Sequence, residues 1–157
     1  MTVDPSAETD AIFAPDGDLG DYLFAALSDP AELTGRLCAV ESVSGNETAL
    51  ADAVVDVLEK ISAGPGPDLE ILRDGDTIVA RTNLGLSERI VVAGHLDTVP
   101  VEDNLPPVRT HMTGENYPDD EVIWGRGACD MKAGVAMQLS TAAALTAPSR
   151  DVSWVFY

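Results

Sequence analysis

The sequence predicts an α/β protein, and the order of the elements from about Leu69 onward carries that prediction. Two alternating runs around Asp74-Gly75 indicate a β-hairpin, and the continuous apolar run from Ile90 to Gly94 indicates a buried strand. A helical segment from about Met131 to Leu145 then precedes a second apolar run, Val152 to Tyr157. This order is typical of α/β sheets, in which functional residues collect at the carboxyl ends of the strands.

The N-terminal region differs in composition from the rest of the chain. Residues 1–20 are acidic and rich in proline, glycine and other small residues, which predicts a disordered or loosely docked lead-in. Residues 21–157 are expected to form one domain unit, because their length and apolar content suffice for a core. The packed fold is expected to begin near Leu27.

The first helix is predicted from its N-terminal cap. Asp29 is a candidate N-cap, Pro30 suits the first helical position, and Glu32 would complete a capping box. The helix is therefore expected to run to about Val40.

The second helix and the hairpin follow in the same way. Ser44 and Glu47 form a second candidate capping box, and apolar residues recur at helical spacing up to Ile61. Two runs with strand-like alternation, Leu69–Arg73 and Thr77–Thr82, then give the hairpin.

The remaining elements are predicted from the apolar runs and the breaks between them. The run from Ile90 to Gly94 has no polar alternation, which is typical of a strand covered on both faces. A polar, proline-rich connection is expected from about Glu102 to Asp120, followed by a short strand at Val122–Trp124. A loop over Gly125–Asp130 then leads into the helix from about Met131.

The composition excludes two classes of partner. The 27 acidic and 9 basic residues give a formal charge of −18, whereas nucleic acid or an anionic membrane requires clustered Lys and Arg. The first 20 residues show no secretory or membrane-spanning pattern, so a cytoplasmic protein is expected. Cys38 and Cys129 form no C-x-x-C pattern, so neither a disulfide framework nor a thiolate zinc site is expected.

His95 and Asp97 directly follow the first apolar run. Because they are two residues apart, their side chains leave the same face of an extended segment. The histidine can then bind a metal while the carboxylate orients the imidazole. The alternative is a histidine satisfied at the strand end with Asp97 capping the next turn, which is the commoner outcome for H-x-D alone. Gly94 and Val99-Pro100 favour the metal interpretation, because they shape the strand end and its exit.

The glycine-containing loop before the last helix ends in a carboxylate. It does not fit a dinucleotide-binding loop, since Asp130 stands where a third glycine is required and would repel a pyrophosphate. A carboxylate here suits a hard or borderline cation, and the alternative is an N-cap of the following helix. We interpret Lys132 as solvated or ion-paired and Cys129 as a small buried residue. His111 lies in the polar connection and is not expected to be a ligand.

The two motifs together resemble the paired metal motifs of the M20 family of zinc aminoacylases and exopeptidases. The resemblance rests on His95-x-Asp97 and on the segment Gly125–Gly134, and it covers about Asp29 to Tyr157. The wider segment His95–Pro106 is most similar to the succinyl-diaminopimelate desuccinylases of lysine and cell-wall biosynthesis. Acetylornithine deacetylases and dipeptidases or carboxypeptidases share much of the pattern and remain alternatives.

The resemblance implies a fold and a site. The fold would be the N-terminal part of a zinc-exopeptidase-like catalytic domain, a mixed sheet with helices packed on it, truncated at Tyr157. His95 would ligate one zinc ion, Asp130 would bridge two ions, and Asp97 would be the catalytic carboxylate behind His95. On the M20 pattern the Asp130-Met131 peptide bond is cis in the metal-loaded, full-length form.

The resemblance also implies what the whole protein would contain. A full-length protein would bind two zinc ions, or cobalt in their place, act on a small N-acyl amino acid, and form a homodimer. The general-base glutamate, the remaining ligands and the dimerisation domain would lie beyond Tyr157, so the 157-residue chain is expected to be inactive.

Three functional hypotheses remain open at this point. The first is part of a desuccinylase that releases succinate from N-succinyl-LL-diaminopimelate. The second is part of another M20 hydrolase. The third is a non-catalytic remnant or partner-binding module. The apolar run that ends at Tyr157 favours a truncated enzyme.

Overall fold

Two β-sheets and four α-helices make up the described part of the protein, which comprises residues 11–114 and 117–157 of a computed structural model. This composition confirms the α/β class. In chain order the elements are β1 (Ala11–Ile12), α1 (Leu19–Phe24), α2 (Pro30–Ala39), α3 (Thr48–Ser62), β2 (Glu70–Asp74), β3 (Thr77–Arg81), β4 (Arg89–Gly94), β5 (Val108–Gly114), β6 (Tyr117–Trp124), a π-helical turn (Ala128–Lys132), α4 (Ala133–Ala144) and β7 (Asp151–Phe156).

The larger sheet is mixed and has the strand order β2-β3-β7-β4. β2 and β3 form the predicted antiparallel hairpin, in which Gly75 takes the positive φ of 59° that its tight turn requires. β7 pairs antiparallel with β3 and parallel with β4, so that Gly94 lies opposite Phe156. The carboxyl ends of β4 and β7 therefore meet at the same edge of the sheet.

The main core lies between this sheet and the helices. β7 contributes Trp154 and Phe156, whose side chains are almost fully buried, and α3 and α4 contact the sheet on that side. The apolar stripe predicted for α3 is buried throughout. Its members are Leu50, Val54, Val57, Leu58 and Ile61. None of the helices in the described residues combines the length and the apolar character that a bilayer crossing requires.

The fold begins earlier than predicted. Residues 1–10 of the expected lead-in lie outside the described residues, but β1 pairs with β5 and Phe13 is 95% buried, with 5% of its surface exposed. Helix α1 starts at Leu19, where the Asp18 carboxylate accepts a hydrogen bond from the Asp21 backbone. The expectation that packing starts near Leu27 is wrong, because a capped turn buries Leu23 before that point.

The cap predicted for α2 is confirmed, whereas the one predicted for α3 is wrong. Asp29 Oδ1 accepts hydrogen bonds from two backbone N–H groups in the first turn of α2. Glu32 pairs with Arg36 on the same helix and does not close a capping box. Helix α3 begins at Thr48 without a side-chain cap, because the Ser44 hydroxyl donates to the carboxylate of Asp97.

The connection expected between residues 102 and 120 contains two strands. β5 and β6 pair antiparallel, and with β1 they form the three-stranded sheet. The strand predicted at Val122–Trp124 is the end of β6, while β5, which includes His111, was not predicted. Its polar sequence lacks an apolar alternation, so its pairing with β6 decides the structure.

Strand β4 lies at the edge of the mixed sheet. Ile90, Val91 and Val92 are 47%, 63% and 39% exposed, so the prediction of a strand covered on both faces is wrong. A continuous apolar run indicates only that other elements can cover the faces of a strand. Among the described residues, no strand other than β7 pairs with β4, so its second edge is free.

Candidate metal site

The backbone of the His95 motif is held by an extension of the β4–β7 pairing. The Tyr157 N–H donates to the carbonyl of Gly94 at 3.1 Å, and the Leu96 N–H donates to the carbonyl of Tyr157 at 2.6 Å. These bonds continue the parallel ladder past the end of β4. They fix the backbone on both sides of His95 at the carboxyl edge of the sheet.

A second segment fixes the motif from the opposite side. The Thr98 N–H donates to the Ser42 carbonyl at 2.8 Å, and the Ser44 N–H donates to the Thr98 carbonyl at 3.0 Å. The buried hydroxyl of Ser42 donates to the Leu96 carbonyl at 2.7 Å. The backbone around Asp97 is thus held between the chain that follows α2 and the chain that ends β7.

The side chains of the predicted site form one series of hydrogen bonds and ion-pair contacts. The Ser44 hydroxyl donates to Asp97 Oδ2, and Asp97 Oδ1 lies 3.0 Å from His95 Nδ1. On the other side of the ring, His95 Nε2 lies 2.9 Å from Asp130 Oδ1. His95, Asp97 and Asp130 are therefore brought together, as the sequence predicts.

The electrostatics of the histidine follow from this arrangement. The hydrogen bond with Asp130 raises the pKa of His95 most, while partial burial opposes that shift and Asp97 adds to it. The pKa of His95 therefore lies above its ordinary value, and a protonated ring would direct Nε2–H at Asp130. A cation bound between these two side chains would take the place of that proton.

The loop that carries Asp130 has a defined backbone. Gly127 has a φ of 80°, and its carbonyl accepts a hydrogen bond from the Lys132 N–H at 2.8 Å. The Asp130-Met131 peptide bond is cis, the geometry that the M20 resemblance implies. The Asp130 side chain is 89% exposed, so its carboxylate can turn toward a ligand. Helix α4 accordingly starts at Ala133, two residues later than predicted.

Two residues of this loop differ from their predictions. Lys132 is only 1% exposed, and its ammonium group donates to the carbonyls of Leu37 and Val40 at 3.0 and 2.7 Å. Burial lowers the pKa of Lys132 to about 8. The solvated or ion-paired interpretation is therefore wrong: the cation bonds to backbone carbonyls at the end of α2, which local sequence does not reveal.

The two cysteines are free, and the prediction for one of them is wrong. Cys129 is exposed at the rim of the loop, although it was expected to be buried. Cys38 is buried, and burial raises the pKa of its thiol to about 11. Only Cys129 is placed to react with a thiol reagent.

An open cavity of about 630 Å³ lies in front of His95 and Asp130. The Trp124 side of β6 and the loop with Arg126 form one wall, and Tyr157 forms another. The Tyr157 ring centroid lies 6.4 Å from that of His95. The predicted site residues therefore face a cleft large enough for a small molecule.

His95 Nε2 and Asp130 Oδ1 can supply two of the ligands of a divalent cation. Zinc in a tetrahedral site binds histidine nitrogen and carboxylate oxygen at about 2.0–2.2 Å, which places the two donor atoms about 3.4 Å apart. The 2.9 Å between His95 Nε2 and Asp130 Oδ1 would have to widen by only about 0.5 Å. Within the described residues, no group of three or more His, Cys, Asp or Glu side chains is placed to hold a metal.

Comparison with known proteins agrees with these features. Residues 91–157 match the family model described as Peptidase family M20/M25/M40. The M20 resemblance predicted from the two motifs is confirmed, and the matched segment contains both of them.

The names of the curated relatives are more specific than the description of the family. A Mycobacterium tuberculosis protein provisionally named succinyl-diaminopimelate desuccinylase is 42% identical over 129 residues, which cover 82% of this chain and 33% of that protein. The succinyl-diaminopimelate desuccinylase of Corynebacterium glutamicum is 38% identical over 134 residues, which cover 83% of this chain and 33% of that enzyme. The chain therefore spans about a third of the length of the curated relatives it matches.

Two solved structures share the fold of this chain over about a third of their own length. Human carnosine dipeptidase 1 superposes with a TM-score of 0.58 and 17% identity, covering 88% of this chain and 33% of that chain. An M20 family metallo-carboxypeptidase from Sulfolobus solfataricus gives a TM-score of 0.58 and 16% identity, covering 82% of this chain and 30% of that one. The likeness at these identities concerns the fold alone.

Proposed function

We propose that this chain provides one half of the metal site of an M20-type amide hydrolase, with His95 and Asp130 as ligands. The observation that carries the proposal is the approach of His95 Nε2 to Asp130 Oδ1, at 2.9 Å, at the edge where β4 and β7 end. Two short motifs that are distant in the sequence thus present two metal-competent atoms to one cavity.

In this proposal Asp97 orients the ring of His95. Its carboxylate and its carbonyl both lie 3.0 Å from His95 Nδ1 and can hold the proton of the ring on that nitrogen. The Nε2 lone pair is then free for a cation, as in many metal sites where a carboxylate orients the ligating histidine. A bound divalent cation would polarise the carbonyl of the amide to be cleaved.

The substrate is proposed to be N-succinyl-LL-diaminopimelate, from which succinate is released. The names of the relatives at 38% and 42% identity support this choice over an acetylornithine deacetylase or a peptidase. Those relatives are about three times longer than this chain. We therefore propose that hydrolysis is carried out by a longer protein, which contains this segment together with further metal ligands and a general-base carboxylate. Two zinc or cobalt ions, a homodimer and a cytoplasmic location belong to the same proposal.

The metal part of the proposal is tested by zinc titration of the 157-residue chain. The chain has two histidines, so the ring signals of His95 and His111 can be followed separately by NMR, with H111Q assigning them. We expect weak binding that shifts the His95 ring, and at least about tenfold weaker binding in D130N. If D130N and the unaltered chain titrate alike, Asp130 is not a ligand.

The substrate part is tested with a panel of amides. A longer protein that carries this segment should release succinate from N-succinyl-LL-diaminopimelate faster than it releases acetate from N-acetylornithine or hydrolyses a dipeptide. H95Q and D130N should abolish this activity, with H111Q as the control. Turnover by the 157-residue chain alone would contradict the half-site assignment. Activity on none of the substrates, with metal bound, would favour a partner-binding module.

A further inference from the structure

Lys132 is a buried cation that the proposed chemistry does not use. It is one of only two lysines in the chain, and its side chain is 1% exposed. Its ammonium group donates to the carbonyls of Leu37 and Val40 at the C-terminal end of α2, where the Leu37 carbonyl also accepts from the Val40 N–H. The negative end of the helix dipole also favours a cation there.

The contact joins two segments that hold opposite sides of the site. Val40 ends α2, and the chain continues directly to Ser42 and Ser44, which bond to the backbone and the carboxylate of the His95 motif. Lys132 ends the loop that carries Asp130. Lys132 therefore links the segment after α2, which holds the His95 motif, to the loop that carries Asp130.

The loop has one other fixed point near Asp130. The Lys132 N–H closes a turn onto the Gly127 carbonyl at 2.8 Å, so the backbone from Gly127 to Lys132 is a closed unit. The Asp130 side chain is 89% exposed, and the hydrogen bond that the structure shows for it is the one to His95. Packing around the Asp130 carboxylate therefore does not fix its position. The position must depend on the contacts that anchor the loop.

We propose that Lys132 is a positioning residue that holds Asp130 against His95 by fixing the Asp130 loop to the end of α2. A neutral side chain of similar volume would fill the same space with less desolvation, so packing alone does not account for a buried ammonium group. The assignment of Asp130 as a ligand rests on the proposed function, but the geometry of the loop does not.

The test compares K132M with K60M in the 157-residue chain. Lys60 is the other lysine and lies on the surface, in ion pairs with Asp21 and Asp56, so K60M controls for the loss of a lysine. K132Q is the second variant, because its shorter amide can still donate a hydrogen bond. Far-UV circular dichroism establishes which variants are folded.

The first readout needs no metal. Cys129 is exposed and Cys38 is buried, so a spin label can be attached to Cys129 beside Asp130 without another substitution. We expect the label to be more mobile in K132M than in the unaltered chain and K60M, with K132Q between them. Equal label mobility in folded K132M and K60M would overturn the proposal.

The second readout is zinc affinity of unlabelled protein, followed through the His95 ring. We expect about a tenfold loss in K132M and none in K60M, as for other residues that orient metal ligands. A folded K132M with unchanged zinc affinity, in a chain that binds zinc, would overturn the proposal, as would loss of folding in both K132M and K132Q. If the unaltered chain binds no zinc, the proposed function fails, while the label at Cys129 still decides the role of Lys132.

Discussion

The replacement of Gly127 by alanine tests how tightly the Asp130 loop lies on the His95 motif. Gly127 has a φ of 80°, and a Cβ atom at this position would lie 2.6 Å from Thr98 Cγ2. Thr98 directly follows Asp97, and its backbone is held by Ser42 and Ser44, so it cannot move freely.

Two terms set the expected size of the effect. A non-glycine residue in the left-handed region costs about 1–2 kcal/mol. The forced contact with Thr98 adds about 1–3 kcal/mol, as for other overpacked sites. We therefore expect G127A to lower the free energy of unfolding by about 2–5 kcal/mol, a large part of the 5–15 kcal/mol typical of a domain.

A matched control separates the two terms. Gly75 has a φ of 59° and nothing within 4 Å of the position of a Cβ, so G75A carries the conformational cost alone. Urea unfolding followed by tryptophan fluorescence measures both variants. We expect G127A to be destabilised more than G75A by about 1–3 kcal/mol. Equal destabilisation would refute the close contact between the loop and the His95 motif.

Two further predictions concern the rest of the sheet. Hydrogen bonds from the Leu84 backbone and from Thr82, among others, lower the pKa of the buried Asp151 below its ordinary 3.8, so its stabilisation is present above pH 3.8 and is lost as pH falls through the folded pKa. D151N should be less stable than the unaltered chain in urea at pH 7, by a margin that narrows below about pH 4; a constant margin would contradict this. Val91 is 63% exposed on the edge strand β4, and an unpaired apolar edge strand can pair with that of a second copy, so we expect the chain to self-associate through β4. V91K should weaken that association in sedimentation velocity, whereas L84K, at an exposed position outside the strands, should not. Equal effects of V91K and L84K would contradict pairing through β4.

The parts of the fold that depend on local sequence were predicted well. Helix α2 starts where Asp29 and Pro30 place it, and the β2–β3 hairpin turns at Asp74-Gly75, because caps and tight turns are decided by a few adjacent residues. Strand β5 was missed for the opposite reason. Its residues carry no strand pattern of their own, and the neighbouring strands β1 and β6 give their backbone groups partners.

The candidate site shows the same division. The sequence predicts His95, Asp97 and Asp130 as site residues from their positions after apolar runs and within a glycine-containing loop, and the structure brings their side chains together. Ser44 was assigned to a helix cap, although its hydroxyl bonds to Asp97, which is 53 residues further along the chain. The sequence predicts a solvated or ion-paired Lys132, whereas its partners are 92 and 95 residues away. Contacts at such separations cannot be read from spacing alone.

The most direct test of the central claim is the position of zinc in crystals of this chain grown or soaked with the metal. Anomalous diffraction at the zinc absorption edge locates the ion without reference to the protein. If His95 and Asp130 are ligands, the peak lies about 2.0–2.2 Å from both His95 Nε2 and an Asp130 carboxylate oxygen. A zinc-saturated crystal in which His95 and Asp130 still bond to each other, with the peak elsewhere or absent, would contradict this assignment.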